Sequence, residues 1–410
     1  MAVSWADITG RGVISSAGHD ISTFNSAILT GKSCISPIDE YPPPALRFSM
    51  GAPVRDFVPE AHFDDKVLRS LDRFSMFAAF AARQAWEESG LRDSKTPPER
   101  IGVVIGTANA GIDILELGWR RMLGEGKKPL PLTIPMTMGN APASRIAREI
   151  GARGPVFALT TACASSSHAI LMGLMLLRTG LVDVVVAGGT DSCFNYGFLQ
   201  AWDVLRVVSP TVCRPFSKNR QGLTVGEGAG IVVLERAGRA AARGTRIHGH
   251  LLGGAMTSDA ADMTTPDGVG MRSAMAGAIA DSSLRLEDVG YINAHGTGTI
   301  ANDKLEAGAI RGLFGPLTDR LPVSSSKSAI GHAMGASGGL EFLATLAALE
   351  AQIAPPTLNF LEVDPDCPID AVPEGPRPVP MHAALTNSFA FGGLNVTLGI
   401  AKAGTVKSSG

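Results

Sequence analysis

One cysteine and two histidines, each set among very small residues, are the parts of this sequence best suited to covalent chemistry. Cys163 stands in Thr160-Thr161-Ala162-Cys163-Ala164-Ser165-Ser166-Ser167-His168, His295 in His295-Gly296-Thr297-Gly298-Thr299, and His332 in Gly331-His332-Ala333-Met334-Gly335. A thiolate attacking a thioester carbonyl develops an oxyanion, which wants backbone N–H donors of the kind that glycine-rich loops and helix starts supply. Carbon–carbon bond formation needs in addition a carbanion or enolate from a second thioester, and its oxygen wants donors such as neutral imidazoles. The three residues together meet those needs.

Each must be positioned by the elements around it. The apolar run Val156 to Leu159 precedes the cysteine stretch and the helix-forming Ala169 to Leu177 follows it, so strand, tight turn and buried helix are expected. That order puts Cys163 at or just before a helix N-terminus, where free N–H groups and the helix dipole favour a thiolate. The same residue also fits a buried structural cysteine, because free cysteine packs like a small hydrophobe. His295 follows the strand-like Tyr291 to Ala294. His332 follows Pro322 to Lys327 and precedes Gly335, Gly338, Gly339 and a helix expected over Leu340 to Ala351. Glycine at that density costs a helix about 1 kcal/mol per residue and implies close helix–helix approach. As alternatives, His295 bonds its own turn and His332 is a core side chain. The second half thus repeats the pattern of the first, and two such halves face to face would aim their turns at one point.

Composition sets the class. The chain has 410 residues, 45% hydrophobic and 18% charged, enough for one large core or two moderate ones. A net charge of -2 argues against nucleic acid or an anionic membrane surface as partner, so an acidic partner must meet a local basic patch. The longest apolar run, Ala169 to Ala187, is broken by Arg178, Gly180 and Asp183, too early for a membrane span. The first residues lack a signal-type core, and a cytoplasmic protein is expected. Five scattered cysteines without a CxxC pair suit a reducing compartment and give no disulfide scaffold and no metal site. Helices are expected over Thr23 to Gly31 and Asp72 to Ser89, and Pro42 to Pro44 marks an extended surface segment. The strands Ile101 to Ile105, Val182 to Ala187 and Ile231 to Leu234 are nearly all apolar, which places them in a sheet covered on both faces, in an α/β chain. The loop Gly106 to Gly111 lacks both GxGxxG and GxxxxGK, so it carries no phosphate-binding signature.

Four ordered motifs carry a family resemblance: Thr161-Ala162-Cys163-Ala164-Ser165, Asn293-Ala294-His295-Gly296-Thr297-Gly298-Thr299, Ser326-Lys327 with Gly331-His332, and Asn387 to Asn395 through Phe389-Ala390-Phe391-Gly392-Gly393. With them the chain resembles, over nearly its whole length, the β-ketoacyl-acyl-carrier-protein synthases, condensing enzymes of type II fatty-acid and polyketide synthesis. The resemblance implies a thiolase-like fold of two pseudo-repeated βαβαβαββ halves in a five-layered αβαβα arrangement, here residues 1–250 and 251–402, with 403–410 as a flexible tail. It implies that Cys163 takes an acyl chain, with N–H groups of Cys163 and Phe391 as oxyanion hole. His295 and His332 would hold a malonyl thioester and promote its decarboxylation, Lys327 and Glu341 would order His332, and Phe391 would gate the two half-reactions. Thr297 and Thr299 would bond the phosphopantetheine arm, and Asn109, Thr265, Phe389 and Asn395 would line the substrate site. No permanently bound cofactor is implied, since substrates arrive on acyl carrier protein. The assembly implied is a homodimer, or a heterodimer with a chain-length-factor-like subunit.

For docking an acidic carrier protein, Lys66, Arg69, Arg206, Lys127 and Lys128 are the local basic candidates, with Arg120 and Arg121 beside the last two. The family usually has Gly at Ala390, Thr or Ser at Leu394, Asp at Ser217 and Gln221, and an apolar residue at Asn109. These departures suggest a specialised enzyme, and a polar Asn109 in the acyl pocket would favour short, unsaturated or functionalised chains. Two other classes compete. A non-catalytic chain-length-factor-like subunit generally lacks the cysteine present here. A degradative thiolase needs a second catalytic cysteine near the C-terminus, where this chain has Phe391-Gly392-Gly393.

Overall fold

The computed structural model describes residues 5–38, 45–263 and 266–405; Pro42 to Pro44, Thr265 and the end of the expected tail, 406–410, lie outside them. Ten strands make the main sheet: β1 (Ala6–Ser15), β2 (Ile101–Gly106), β3 (Val156–Leu159), β4 (Val184–Asp191), β5 (Gly228–Arg236), β6 (Gly249–Ser258), β7 (Val289–Asn293), β8 (Val323–Ser324), β9 (Ala383–Ala390) and β10 (Leu394–Lys402). Their spatial order is β3-β2-β4-β5-β1-β6-β10-β9-β7-β8. Read outward from the β1–β6 pairing, the second five strands repeat the order of the first. The pairing senses repeat too: β2 is parallel to β3 and β4, β7 is parallel to β8 and β9, and β5 and β10 run antiparallel to their neighbours.

Six of the helices among the described residues build the layers around it. On the outer face of the first half, α1 (Arg73–Glu88) and α2 (Ala141–Ile150) pack together against its strands, and α4 (Gly268–Asp281) covers β6 and β10 of the second half with α5 (Ile300–Phe314) beside it. Between the halves lie α3 (Ser165–Arg178) and α6 (Ser337–Ala351), which touch each other and strands of both. Their position explains their composition: every residue of α6 from Ser337 to Leu349 is buried, and a helix covered all round needs no polar face. A Cβ on Gly338 would collide with Ser167 of α3, and one on Gly339 with the backbone of Gly230 in β5. Close approach is therefore the reason for the glycines, as expected.

The boundaries that differ most from expectation are those of α3 and β4. Helix α3 starts at Ser165, four residues before Ala169, because its polar first turn is satisfied inside the protein. Ser165 Oγ donates to Ala162 O at 2.7 Å, the Ser167 and Ser388 hydroxyls are 2.8 Å apart, and Ser166 Oγ donates to Gly335 O. Strand β4 starts at Val184 and continues through Gly188 and Gly189 to Asp191, four residues past the expected end at Ala187.

Candidate active site

The turns that follow β3, β7, β8 and β9 bring the chemistry together. These are two equivalent places, the ends of β3 and β8, and two further strand ends of the second half. Cys163 sits between β3 and α3, one residue before the helix N-cap Ala164. Ala162 takes φ 48°, a left-handed conformation that a side chain adopts at a cost of about 1–3 kcal/mol. Bonds to both sides hold it there: Ala164 N–H donates to Thr161 O at 3.1 Å and Ser165 N–H to Ala162 O at 3.2 Å. The sulfur is thereby turned into a cavity of about 130 Å³, whose wall includes Trp202, Leu223, Met263, His295, Thr297, Thr299, His332, Phe389 and Phe391.

The expected thiolate is not the resting state. Burial pushes the Cys163 thiol up to about 11, and the charge of Lys327 and the nearby N–H of Phe391 offset this only in part. In this apolar cavity desolvation outweighs the helix start. Phe391 itself follows β9, and its ring stacks on Trp202 with centroids 6.3 Å apart and planes 22° from parallel. Gly392 and Gly393 behind it have φ 81° and 69°. Gly392 N–H donates to Met263 O at 2.7 Å, and Gly393 O accepts from Asp259 N–H at 2.9 Å.

The two imidazoles stand edge to face, ring centroids 5.6 Å apart and planes at 89°. His332 Nδ1 accepts from the backbone N–H of Met334 at 3.0 Å and lies 3.1 Å from the hydroxyl of Ser337. His295 Nδ1 lies 3.2 Å from Lys327 Nζ, and an ammonium has only protons to give. With Nδ1 accepting in both rings, the proton of each neutral imidazole is assigned to Nε2. Burial, with the charge of Lys327, pushes both histidines well below their ordinary range, so neither is protonated at neutral pH. The result is two neutral N–H donors beside one cavity.

Lys327 and Glu341 are a buried ion pair, 2% and 1% exposed. Burial pushes Glu341 up to about 7, with Lys327 pulling it back. The sequence reading assigned this pair to His332; the hydrogen bonds run to His295 instead, with Lys327 Nζ donating to His295 O at 2.7 Å.

Several positioning residues escaped the sequence reading. Glu306 of α5 is buried and accepts the N–H groups of both His295 and Gly296 at 2.8 Å, and the Asn387 amide at 3.1 Å. Asp303, one turn earlier, accepts from Phe216 N–H at 2.7 Å and Gly298 N–H at 3.2 Å. Asp191, at the end of β4, accepts from Thr107 Oγ1, Ala108 N–H and Gly335 N–H at 2.7, 2.9 and 2.6 Å, joining the loop after β2 to the turn after His332. The only sequence signal was the spacing of Asp303 and Glu306 on one helix face.

The substrate candidates divide. Thr297 and Thr299 line the cavity with hydroxyls 2.9 Å apart, and Phe389 lines it beside His295. Asn395 is off the wall: its amide donates to Asp259 at 2.6 Å and to Gly393 O at 3.4 Å, fixing the segment behind Phe391. Asn109 is off the wall as well, its amide 3.9 Å from Cys193 Sγ and its backbone N–H given to Asp191 at 3.1 Å. Thr265 lies outside the described residues. Of the basic candidates, Arg206 is exposed at the end of the helix Tyr196–Leu205, between the wall residues Trp202 and Val207, and pairs with no carboxylate among the described residues. Lys66, Arg69, Lys127 and Lys128 are exposed, with Lys127 paired to Glu125 at 2.9 Å.

Comparison with known proteins meets this geometry. Residues 7–240 match the family described as Beta-ketoacyl synthase, N-terminal domain, and residues 248–361 its C-terminal domain. The chain belongs to the β-ketoacyl synthase family. Nodulation protein E of Rhizobium sp. (strain N33) is 38% identical over 95% of this chain and 97% of its own length. The 3-oxoacyl-[acyl-carrier-protein] synthase 2 of Synechocystis sp. is 38% identical over 96% and 97%. Among solved structures, the ishigamide ketosynthase/chain length factor superposes with TM-score 0.93 at 32% identity, covering 98% of this chain and 100% of the other. A β-ketoacyl synthase from Burkholderia phymatum gives 0.89 at 30%, covering 97% and 99%. This β-ketoacyl synthase has the thiolase-like fold and is a condensing enzyme, an acyltransferase; the partner-subunit and thiolase readings are not supported. No helix among its described residues is long and apolar enough to cross a membrane.

Proposed function

We propose that this synthase takes an acyl chain from the phosphopantetheine thioester of an acyl carrier protein onto Cys163 and joins it to a malonyl unit carried the same way. In the first half-reaction the sulfur bonds the acyl carbonyl carbon, the oxyanion lies against the N–H groups of Cys163 and Phe391, and the carrier's thiol leaves with the proton. In the second, malonyl thioester loses CO2 and its electron pair passes into the thioester enolate, whose oxygen accepts from His295 and His332 Nε2–H. The enolate carbon then bonds the acyl carbon, the carbon–sulfur bond breaks, and Cys163 takes up a proton. The observation that carries this reading is the pair of neutral imidazoles, both with Nδ1 engaged, on the wall of the cavity that holds the sulfur. Preorganised donors at a developing oxyanion are worth about 10²–10³ in rate.

In this reading 1–250 supply the nucleophile and 251–402 the histidines; Thr297 and Thr299 hold the pantetheine arm, and the role given to Thr265 rests on resemblance. Lys66, Arg69, Arg206, Lys127 and Lys128 dock the carrier, with Arg206 nearest the cavity wall. The free sheet edge β3 and the exposed Trp119, Leu123 and Ile134 (54%, 86% and 72%) support an assembly through the first half, with a second copy or a chain-length-factor-like subunit. Five unpaired cysteines support a cytoplasmic site of action.

Intact-mass measurement after incubation with acyl carrier proteins tests the reading. Cys163→Ala removes self-acylation and Cys193→Ala and Cys213→Ala keep it, while Cys163→Gln keeps malonyl decarboxylation. Acyl transfer to the Cys163→Ala protein would refute the assignment.

A further inference from the structure

The stretch that holds Cys163 ends in a histidine to which the condensing chemistry gives no task. His168 is buried in the first turn of α3, and its Nδ1 lies 3.0 Å from Thr161 Oγ1 and 3.1 Å from Ala164 O. These two partners flank the nucleophile, one two residues before Cys163 and the other directly after it. Burial pushes His168 below the ordinary histidine range, so the ring is neutral and has one proton to place. Ala164 O can only accept, which assigns that proton to Nδ1, and Thr161 Oγ1 shares it as a second acceptor. One side-chain atom thus reaches both shoulders of the turn that carries the sulfur.

The turn needs such a hold. Ala162, between Thr161 and Cys163, sits in the left-handed region at φ 48°, and that strain persists only where the surroundings over-determine it. The other polar groups of Thr161 are tied to α3 as well: its N–H donates to Ser165 Oγ at 2.9 Å, and its carbonyl accepts from Ala164 N–H at 3.1 Å. His168 engages the hydroxyl and completes the set. A buried imidazole costs desolvation that a leucine would avoid, so these two contacts are what the position gains from a histidine.

We propose that His168 is a positioning residue for acyl transfer: by holding Thr161 and Ala164 it keeps the sulfur of Cys163 and the N–H of the same residue in the mutual orientation that an acyl carbonyl and its oxyanion require. The proposal rests on the condensing reading above and concerns the first half-reaction alone, because the donors of the second, His295 and His332, stand on the turns after β7 and β8.

The test uses the full chain with His168→Leu, which fills the space without a donor, and with His168→Asn, whose amide nitrogen takes the place of Nδ1 and can donate. Acylation of Cys163 by carrier-bound substrate, followed by intact mass, is expected to slow about ten- to a hundredfold in His168→Leu and to stay within about threefold of wild type in His168→Asn. Malonyl decarboxylation, read as CO2 in the Cys163→Gln background, should be the same with histidine or leucine at 168. Alkylation by iodoacetamide should also be unchanged in His168→Leu, since displacement of iodide builds no oxyanion. Wild-type acylation in His168→Leu overturns the proposal. Equal loss in both variants overturns it, because the ring then serves packing, and so does decarboxylation or alkylation that falls in step with acylation, because the damage is then general. A measurement on the wild type alone avoids any question of variant folding: imidazole nitrogen chemical shifts should place the His168 proton on Nδ1. A proton on Nε2 would leave Ala164 O outside the clamp and again overturns the proposal. Failure of the condensing reading is separately visible, as wild type that acquires no acyl mass from any carrier substrate, and it would remove both.

Discussion

Lys327 Nζ holds His295 at two points, its carbonyl oxygen at 2.7 Å and its Nδ1 at 3.2 Å, while pairing with Glu341 on its other side. The lysine thus fixes which nitrogen of His295 carries the proton, and the carboxylate fixes the lysine.

Removing the lysine should therefore damage the enolate step before the acyl step. Lys327→Ala is expected to lower malonyl decarboxylation by about 10²–10³, the worth of an oriented oxyanion donor, and to change Cys163 acylation by much less. Release of CO2 and intact mass read the two separately. The variant also leaves Glu341 buried without its partner, so stability falls by about 3–5 kcal/mol, read as a lower denaturation midpoint.

A thiol held at about 11 makes a clear pH prediction. Alkylation of Cys163 by iodoacetamide should quicken about tenfold per pH unit between 7 and 10, since only the thiolate reacts. Stability moves the other way: with the folded value raised above that of free cysteine, about 8.5, the contribution is full below that pH and is lost as pH rises through 11. A rate that levels off near pH 8 would contradict the burial argument.

Glu306 accepts four donors, including both N–H groups of the His295 turn and the amides of Asn302 and Asn387. Glu306→Gln turns one acceptor into a donor facing donors. It should cost about 1–3 kcal/mol in stability and lower decarboxylation more than acylation, because the His295 loop loses its anchor. Thermal unfolding and the two half-reaction assays check this, and wild-type values in both would show that the anchor is dispensable.

Charge reversal at Arg206 tests docking. Arg206→Glu should raise the KM for carrier-bound substrate and leave turnover of small thioesters alone. Wild-type KM should itself rise with salt, since exposed pairs are screened over about 10 Å at 0.1 M. Identical KM values in wild type and variant would remove Arg206 from the docking surface.

The reactive trio was legible because Cys163, His295 and His332 each stand among residues too small to hide them, and the strands because they are apolar on both faces. What was hidden is the support. Glu306 and Asp303 look like a solvated helix face until α5 is placed beside α4, and Asp191 looks like a loop residue until β4 is extended through its glycines. Lys327 was drawn to the wrong histidine because it is closer in sequence to His332, while the second-half strands bring the His295 turn back against it. The start of α3 was misplaced because serines favour turns when exposed, and these serines bond inside the protein.

The middle layer has a consequence for how this enzyme could be divided. Helix α3 follows the nucleophile and helix α6 carries Glu341, and they meet through Ser167 and Gly338, with Ser166 bonded to Gly335 just before α6. Cut within 237–248, between β5 and β6, the chain becomes two fragments, one bearing the sulfur without its electrophilic donors and the other the donors without a sulfur. Each would expose the helix face that the other buries. Such a pair is a logical conjunction written in protein: condensation reports that both pieces are present and docked, and either alone is silent.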